Sequence, residues 1–391
     1  MLDLEGRISI TIDPALTGQN RVSISSHRPV HACHTFQGKT PQQALTRIPL
    51  LFNICAIAQS RAALLATQRA LGISSKLHPE IARDMLVLLE TAREHLFRIL
   101  VEWPGLFDLK VDAERLALLG QLVPDFKNTL FKSGDAFSLD SQLEADTVLL
   151  QQQIQALDKY LETQIFGIKP GAWLEIKSID GLNRWMHNFD TIAAVSVRTI
   201  CEEGWSSQGY ADCTALPKLS TSELVERFES AQSRHFVEQP DWKGSIYETT
   251  PYSRQMGQPL MRLLVREFHN TLIARWISRL VELANIPQKL SIMKQQLAEI
   301  ENQKLEVTEP AIGLAQVEAA RGRLIHYLKM DQGRISSYQI LAPTEWNFHP
   351  QGLVKNSLCH LSINHPQQLE KLARLLVNAI DPCVGYDLRI L

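Results

Sequence analysis

The sequence has 391 residues, of which 45% are hydrophobic and 21% are charged, and its formal net charge is −2. This hydrophobic content supports a large buried core and argues against a disordered chain. The near-neutral charge lacks the basic bias of nucleic-acid-binding proteins. The opening MLDLEGRISI has no apolar signal segment, and no run of about 18 uncharged apolar residues predicts a membrane span.

The cysteines are few, widely spaced and contain no C-x-x-C pair, which is typical of a reducing compartment and disfavours a zinc ribbon or a redox dithiol. We therefore expect a cytoplasmic protein. The six are Cys33, Cys55, Cys201, Cys213, Cys359 and Cys383.

Acidic residues are absent between Pro14 and Pro79, although this stretch holds seven lysines and arginines and four histidines. One interpretation is a basic face balanced by acids elsewhere in the fold. The other is a docking face for an acidic partner or an anionic group.

The first elements are predicted to be two strands, 4–12 and 20–26, because apolar and polar residues alternate there. Thr40 followed by Pro41 is typical of a helix start. A second helix is predicted over 53–71, ending at Gly72.

Apolar residues then recur at helical spacing from His78 to Trp103, and Pro104-Gly105 is predicted to end that helix. Pro287 should break or kink the last helix of the middle region. The further predicted helices cover 112–122, 139–165, 184–203, 221–237 and 257–305. The middle of the chain is therefore expected to be a helical bundle.

The pattern changes near residue 310. Arg323–Met330 and Arg334–Leu341 have strand character, joined by a tight turn at Asp331–Gly333. A short helix over 366–379 precedes the tail. The simplest architecture is one mostly α (α+β) domain over 1–391, comprising an N-terminal β/loop region (1–50), a bundle (51–305) and a hairpin, short helix and cysteine tail (306–391).

Six segments resemble motifs of the large subunit of nickel–iron hydrogenases, in the same order along the chain. This resemblance implies the large-subunit fold. The segments are LEGR at 4–7 (I-E-G-H in that family), GKTPQQA at 38–44 (G-R-x-P-x-D-A), ETTPYSR at 248–254 (E-V-G-P-L-A-R), EAARGRLIHY at 318–327 (E-A-P-R-G-x-L-G-H-W), PTEWN at 343–347 (P-T-T-W-N) and DPC at 381–383 (D-P-C-x-x-C).

The resemblance departs from that family at the metal-binding cysteines, which the family carries as two C-x-x-C pairs. By this resemblance, Cys55 and Cys383 stand at the first cysteine of the two pairs, whereas Ala58 and Tyr386 replace the second cysteines. In the family, those second cysteines bridge nickel and iron. Hydrogenase activity is therefore not expected.

This combination resembles hydrogenase expression/formation proteins of the HupK/HoxV type, with Ala-Gln at 58–59 in place of the second cysteine. The resemblance implies a maturation scaffold, not an enzyme, that transiently carries the Fe(CN)2(CO) group and no nickel. Its partners would be the hydrogenase large subunit and iron-assembly maturation proteins. The alternative is a metal-free, structural hydrogenase-like subunit of a larger redox complex.

By the same resemblance, Cys55 and Cys383 are the expected iron ligands, Arg321 faces the cyanides and Asp381 orients Arg321. Two soft thiolates suit low-spin iron, and a guanidinium can donate to cyanide nitrogen. The alternatives are that the two cysteines are unrelated buried thiols, that Arg321 forms a surface salt bridge, and that Asp381 is a simple acid in a turn.

Glu5 aligns with a proton-transferring glutamate of the family, and a structural or hydrogen-bonding role or an exposed acid are both open here. Cys33, His31 and His34 are a possible accessory metal cluster by residue type, although their spacing matches no motif.

Overall fold

A computed structural model describes residues 6–132, 135–304, 311–362 and 365–391, and it is 57% helical. Small sheets flank a large set of helices, as the sequence predicted. In chain order the described α-helices are α1 (Pro41–Leu51), α2 (Ala56–Ala70), α3 (Leu77–Phe97), α4 (Trp103–Leu106), α5 (Ala117–Leu130), α6 (Thr147–Leu161), α7 (Pro170–Leu174), α8 (Ile179–Asn188), α9 (Ile192–Glu202), α10 (Thr221–Glu229), α11 (Ser233–Glu238), α12 (Pro251–Gln255), α13 (Pro259–Phe268), α14 (Leu272–Glu299), α15 (Pro343–Asn347), α16 (Leu353–Cys359) and α17 (Pro366–Ile380).

The first sheet joins the two ends of the chain. Strand β1 (Arg7–Ile12) pairs antiparallel with β2 (Val22–Ser26), which confirms both predicted N-terminal strands. Its other edge pairs in parallel with the C-terminal strand Gly385–Ile390, which the sequence did not predict. Alternate isoleucines of β1 are fully buried, so this sheet anchors both termini to the core.

Two further sheets follow. Strands β3 (Thr214–Ala215) and β4 (Tyr247–Glu248) form a short parallel pair. Strands β5 (Ile312–Ala319), β6 (Gly322–Asp331) and β7 (Arg334–Leu341) form an antiparallel sheet in sequence order, and Gly385–Ile390 is then β8.

The β6–β7 hairpin confirms the predicted strands and their turn. Gln332 and Gly333 both have positive φ, 46° and 74°, as a two-residue turn between twisted strands requires. Strand β5 packs on α2 so closely that a Cβ on Gly313 would lie 1.8 Å from the Ala66 carbonyl oxygen. Only glycine fits this contact.

Helix α14 is the centre of the bundle and contacts α3, α6, α9, α12 and α17, among others. Every residue from Leu272 to Pro287 is buried, including the charged Arg275, Arg279 and Glu282. A helix buried on all sides lies in the core of its domain, so these charges need internal partners.

Several predicted helix boundaries are wrong. Helix α3 continues through a π-turn (Arg98–Glu102) into α4, because Pro104 falls in a first helical turn, where its missing N–H is not needed. Pro287 lies inside α14 and does not break it, so of the two predicted effects the kink stays a prediction. The segments predicted as single helices over 184–203, 221–237 and 257–305 are each two helices, and the one predicted over 139–165 begins at Thr147 because Asp146 caps it.

Within the described residues, no single helix is both long and apolar enough to cross a membrane. The pair Pro41–Leu51 and Asn53–Ala70, bent by 101°, meets the length and composition criteria when taken together.

Candidate metal-group site

Cys55 lies in a short 3-10 turn, Asn53–Cys55, immediately before α2. The buried Glu90 of α3 accepts hydrogen bonds from the backbone N–H groups of Ile57 (2.8 Å) and Ala58 (2.9 Å). These donors are among those that a helix N-terminus leaves without internal partners. Glu90 therefore fixes the start of α2 and, with it, the position of Cys55.

Cys383 lies in the turn between α17 and β8. The turn begins at Asp381, which has φ +70°, a conformation that a non-glycine residue adopts at a cost. The Thr344 hydroxyl donates to the Cys383 sulfur (3.0 Å) and accepts from the Cys383 N–H (3.4 Å). A single side chain of α15 thus contacts both the sulfur and the backbone N–H of this cysteine.

The two cysteines share one electrostatic environment, although they come from opposite ends of the chain. Burial raises the pKa of Cys55 to about 12, the charges of Cys383 and Glu90 also raise it, and Arg321 opposes the shift. Cys55 and Cys383 likewise both help to raise the pKa of Arg28 and of Arg321. A cationic group placed between the thiols would favour their ionisation.

Arg321, at the tight β5–β6 turn, is 3% exposed and forms two buried ion pairs. Its Nε lies 3.1 Å from Asp381 Oδ1, and its NH2 lies 3.0 Å from Glu94 Oε2. Its NH1 is buried and has no hydrogen-bond partner among the described residues. A buried donor without an acceptor is costly, which makes this atom available to a ligand acceptor.

Asp381 joins Arg321 to two further guanidiniums. Arg98 NH2, in the π-turn, lies 2.7 Å from Asp381 Oδ1, and Arg279 NH2, on α14, lies 3.4 Å from Oδ2. Burial alone would raise the pKa of Asp381, but Arg321, Arg98 and Arg279 together hold it well below its usual range. This carboxylate therefore stays ionised in the core.

A chain of hydrogen bonds leads away from Cys55 on the other side. Gln59 Nε2 donates to the Cys55 sulfur (3.7 Å), and Gln59 Oε1 lies 2.8 Å from His326 Nε2. His326 Nδ1 in turn lies 2.8 Å from the Tyr338 hydroxyl. Burial lowers the pKa of His326 to about 3, so the ring is neutral, with Nε2 donating to Gln59 and Nδ1 accepting from Tyr338.

Arg28 completes the surroundings of the thiols. It forms an ion pair with Glu345 of α15, and that pair is almost wholly buried. Burial lowers the pKa of Arg28, but the charges of Cys383 and Glu345 outweigh that effect and raise it. Glu345 stands where the hydrogenase motif P-T-T-W-N has its second threonine. The acid that departs from the motif is thus neutralised by the buried Arg28.

Other residues singled out from the sequence lie elsewhere. Glu5 is outside the described residues. Cys33 is buried, with its thiol directed at the Val30 carbonyl oxygen (3.8 Å), and burial raises its pKa to about 11. His31 is bonded to Glu238 (2.9 Å). The described residues contain no group of three or more His, Cys, Asp or Glu side chains placed to hold a metal ion, so Cys33, His31 and His34 do not form one.

Sequence reasoning did not find the residues that surround the two cysteines. These come from separate helices and loops. Those on helices share one signal, a polar or charged residue at a position that should be apolar, whereas Arg28 lies in the segment after β2. The surrounding residues are Arg28, Gln59, Glu90, Glu94, Arg98, Arg279, Thr344 and Glu345.

Comparison with solved structures shows the fold. The chain is similar to an NAD+-reducing [NiFe]-hydrogenase with a TM-score of 0.62, at 14% identity over 93% of this chain and 91% of that one. Residues 243–386 also match the family model for nickel-dependent hydrogenase. The architecture is that of the nickel–iron hydrogenase large subunit.

Comparison with curated sequences is more specific. The chain is 28% identical to the hydrogenase expression/formation protein HoxV of Cupriavidus necator, over 93% of this chain and 91% of HoxV. It is equally identical to HupK of Azotobacter vinelandii, over 90% of this chain and 89% of HupK. The chain is a homologue of the HoxV, HupV and HupK hydrogenase expression/formation proteins.

These expression/formation proteins are matched along nearly their whole length. The resemblance noted from the motifs is therefore confirmed at the level of the complete chain. Their names indicate a role in the expression and formation of hydrogenase.

Proposed function

We propose that this protein is a maturation scaffold for nickel–iron hydrogenase that holds the Fe(CN)2(CO) group on Cys55 and Cys383 and passes it to the large subunit. The observation that supports the proposal is that two thiols from opposite ends of the chain share one buried electrostatic environment with Arg321, whose buried NH1 has no hydrogen-bond partner in the described structure.

The donor set suits this cargo. Thiolates are soft ligands that low-spin iron accepts, and two of them with two cyanides and one carbon monoxide give five ligands. Arg321 NH1 supplies a donor for a cyanide nitrogen, and Asp381 and Glu94 fix the guanidinium from its other sides. Binding requires both thiols to lose their protons, so affinity should rise with pH.

The same donor set favours release. A carrier must hold its cargo less tightly than the acceptor does, and two thiolates provide fewer bonds than two complete cysteine pairs. Ala58 and Tyr386 stand at the positions that the hydrogenase motifs give to the bridging cysteines. Because nickel would need those sulfurs, we propose that the protein binds no nickel and does not activate hydrogen.

Infrared spectroscopy tests the proposal directly. Protein co-produced with the iron-assembly proteins should show cyanide and carbonyl stretching bands and about one iron per chain. Cys55→Ala and Cys383→Ala should each abolish the bands. Cys201→Ala is the matched control, since that thiol lies near Ser206 and away from the site, and it should keep them. Identical spectra in all four samples would reject the proposal.

One observation favours a second function. Buried ion pairs join Asp381, close in sequence to Cys383, to Arg98 and Arg279. A metal-free structural subunit would have these properties. It predicts a stable complex with a companion protein and no iron, and unchanged assembly of that complex when Cys55 and Cys383 are both replaced by serine.

A further inference from the structure

A cleft of about 500 Å³ opens on the surface next to Thr344, the residue that contacts the Cys383 sulfur. One side is formed by the end of β2 and the segment after it, including Ser25, Ser26 and Arg28. The other side is formed by α15, with Thr344 and Glu345.

The inner wall of this cleft is one side chain thick. Thr344 lines the cleft, and its hydroxyl contacts the Cys383 sulfur at 3.0 Å. Arg28 and Glu345 line the cleft from its two sides and are bound to each other across it. A rotation that separates this ion pair would therefore open a path from the cleft to Cys383.

The charge of the wall is also defined. Burial opposes the charge of Arg28, but Cys383 and Glu345 raise its pKa, so the guanidinium stays charged. Its Nε is buried and has no hydrogen-bond partner among the described residues. At the rim, the Glu238 carboxylate is paired with both His31 and Arg234, so its negative charge is offset there. An anion entering the cleft would meet the charged Arg28, which interacts electrostatically with Cys383.

We propose that this cleft is the port through which ligands reach Cys383, and that Arg28 makes the port selective for anionic groups, namely thiolates and cyanide-bearing iron. The identity of the cargo rests on the proposed function; the port itself does not. Fixed charge in a cleft raises the local concentration and the association rate of oppositely charged groups.

Thiol labelling of the metal-free, full-length protein tests the port. Two methanethiosulfonates of similar size are used, one with an anionic ethylsulfonate group and one with a cationic ethyltrimethylammonium group. The Cys383 thiolate displaces methanesulfinate and forms a mixed disulfide, and peptide mass spectrometry gives its rate. In the wild-type protein the anionic reagent should label Cys383 about tenfold faster than the cationic one.

Two kinds of variant separate the path from the charge. Ser25→Trp and Ser26→Trp place bulk on exposed residues that line the cleft, and each should slow labelling of Cys383 by both reagents about tenfold. Ala172→Trp, exposed in a different concavity, is the matched control and should change nothing. Arg28→Gln should remove the preference for the anionic reagent, and Arg28→Lys should keep it.

The outcomes are decisive in both directions. Labelling of Cys359 in the same digests verifies that each variant is folded. Unchanged Cys383 rates in both tryptophan variants, or slowing by Asn53→Trp beside Cys55 instead, would reject the port. An unchanged reagent preference in Arg28→Gln would reject its selectivity. A protein without infrared bands but with the expected labelling pattern would reject the iron cargo and keep the port.

Discussion

Replacing Asp381 by asparagine would neutralise the carboxylate on which the guanidiniums of Arg98, Arg279 and Arg321 converge. The Asp381 side chain is 2% exposed, so water cannot take over the lost interaction. Breaking a buried ion pair by removing one partner typically costs about 3–5 kcal/mol of the free energy of unfolding.

The contacts place this variant near the lower limit of that range. Arg98 keeps Glu102, and Arg321 keeps Glu94. Among the described residues Arg279 has no second carboxylate within salt-bridge distance, and it keeps only the Asn378 carbonyl oxygen at 2.9 Å and weaker contacts. One guanidinium is thus left uncompensated, and we expect a loss of about 3 kcal/mol.

Denaturant unfolding followed by far-ultraviolet circular dichroism measures this loss. Asp387→Asn is the matched control, because the Arg7–Asp387 pair is 49% and 43% exposed and should contribute less than about 1 kcal/mol. Adding Arg279→Met to the Asp381→Asn variant should recover roughly 1 kcal/mol or more. A loss no larger than that of Asp387→Asn would refute the view that this network stabilises the fold.

Three more perturbations have defined outcomes. Gly322→Ala should cost about 3 kcal/mol of unfolding free energy, because the new Cβ would lie 1.6 Å from the Thr249 carbonyl oxygen at φ +134°. Glu90→Ala should cost about 2 kcal/mol, because two backbone N–H groups beside Cys55 lose their acceptor. Burial lowers the pKa of His326 to about 3, whereas the unfolded value is near 6.5, so the stability that the neutral ring contributes is complete above pH 6.5 and is lost as pH falls. About 2 kcal/mol of unfolding free energy should disappear between pH 7 and pH 5, and His326→Gln should lack this loss.

All three are read from denaturant titrations, the last at both pH values. Gly333→Ala has open space around it and should cost only about 1 kcal/mol for its φ of +74°. Glu299→Ala, at the exposed end of α14, should be neutral. Equal losses in Gly322→Ala and Gly333→Ala, in Glu90→Ala and Glu299→Ala, or equal pH dependence with and without His326, would contradict the respective argument.

The sequence predicted those elements whose signals are local. Thr40 and Gln43 form a capping box at the start of α1, and Gln332-Gly333 forms the β6–β7 turn. The parallel pairing of β1 with β8 has no such signal. It joins residues 380 positions apart, such as Arg7 and Asp387, and parallel strands carry no turn between them from which the pairing could be predicted.

Helix breaks were missed where apolar periodicity continues across a cap. Residues 184–203 look like one helix, but the Thr191 hydroxyl accepts from the Ala194 N–H and starts α9 anew. Apolar periodicity shows which face of a helix is buried. It does not show a change of backbone conformation at one residue between two helices.

The buried charges around the cysteines did leave a trace in the sequence. Glu90, Glu94, Arg98 and Glu102 recur every four residues, which places them on one side of an otherwise apolar helical run. Charges at that spacing usually mark a solvated face. Here they face the Cys55 turn and Asp381, and their partners could not be assigned because those lie in distant segments.

The β1–β8 pairing also sets when the site can exist. Cys383 lies directly before the strand that must find β1, whereas Cys55 is fixed much earlier by contacts between α2 and α3. During synthesis, the two thiols therefore cannot share one environment until β8 has emerged and paired with β1. A molecule in which β8 has not yet paired would leave one edge of β1 open and would lack the Cys383 side of the site, so under the proposed function it could take up cargo only after that pairing.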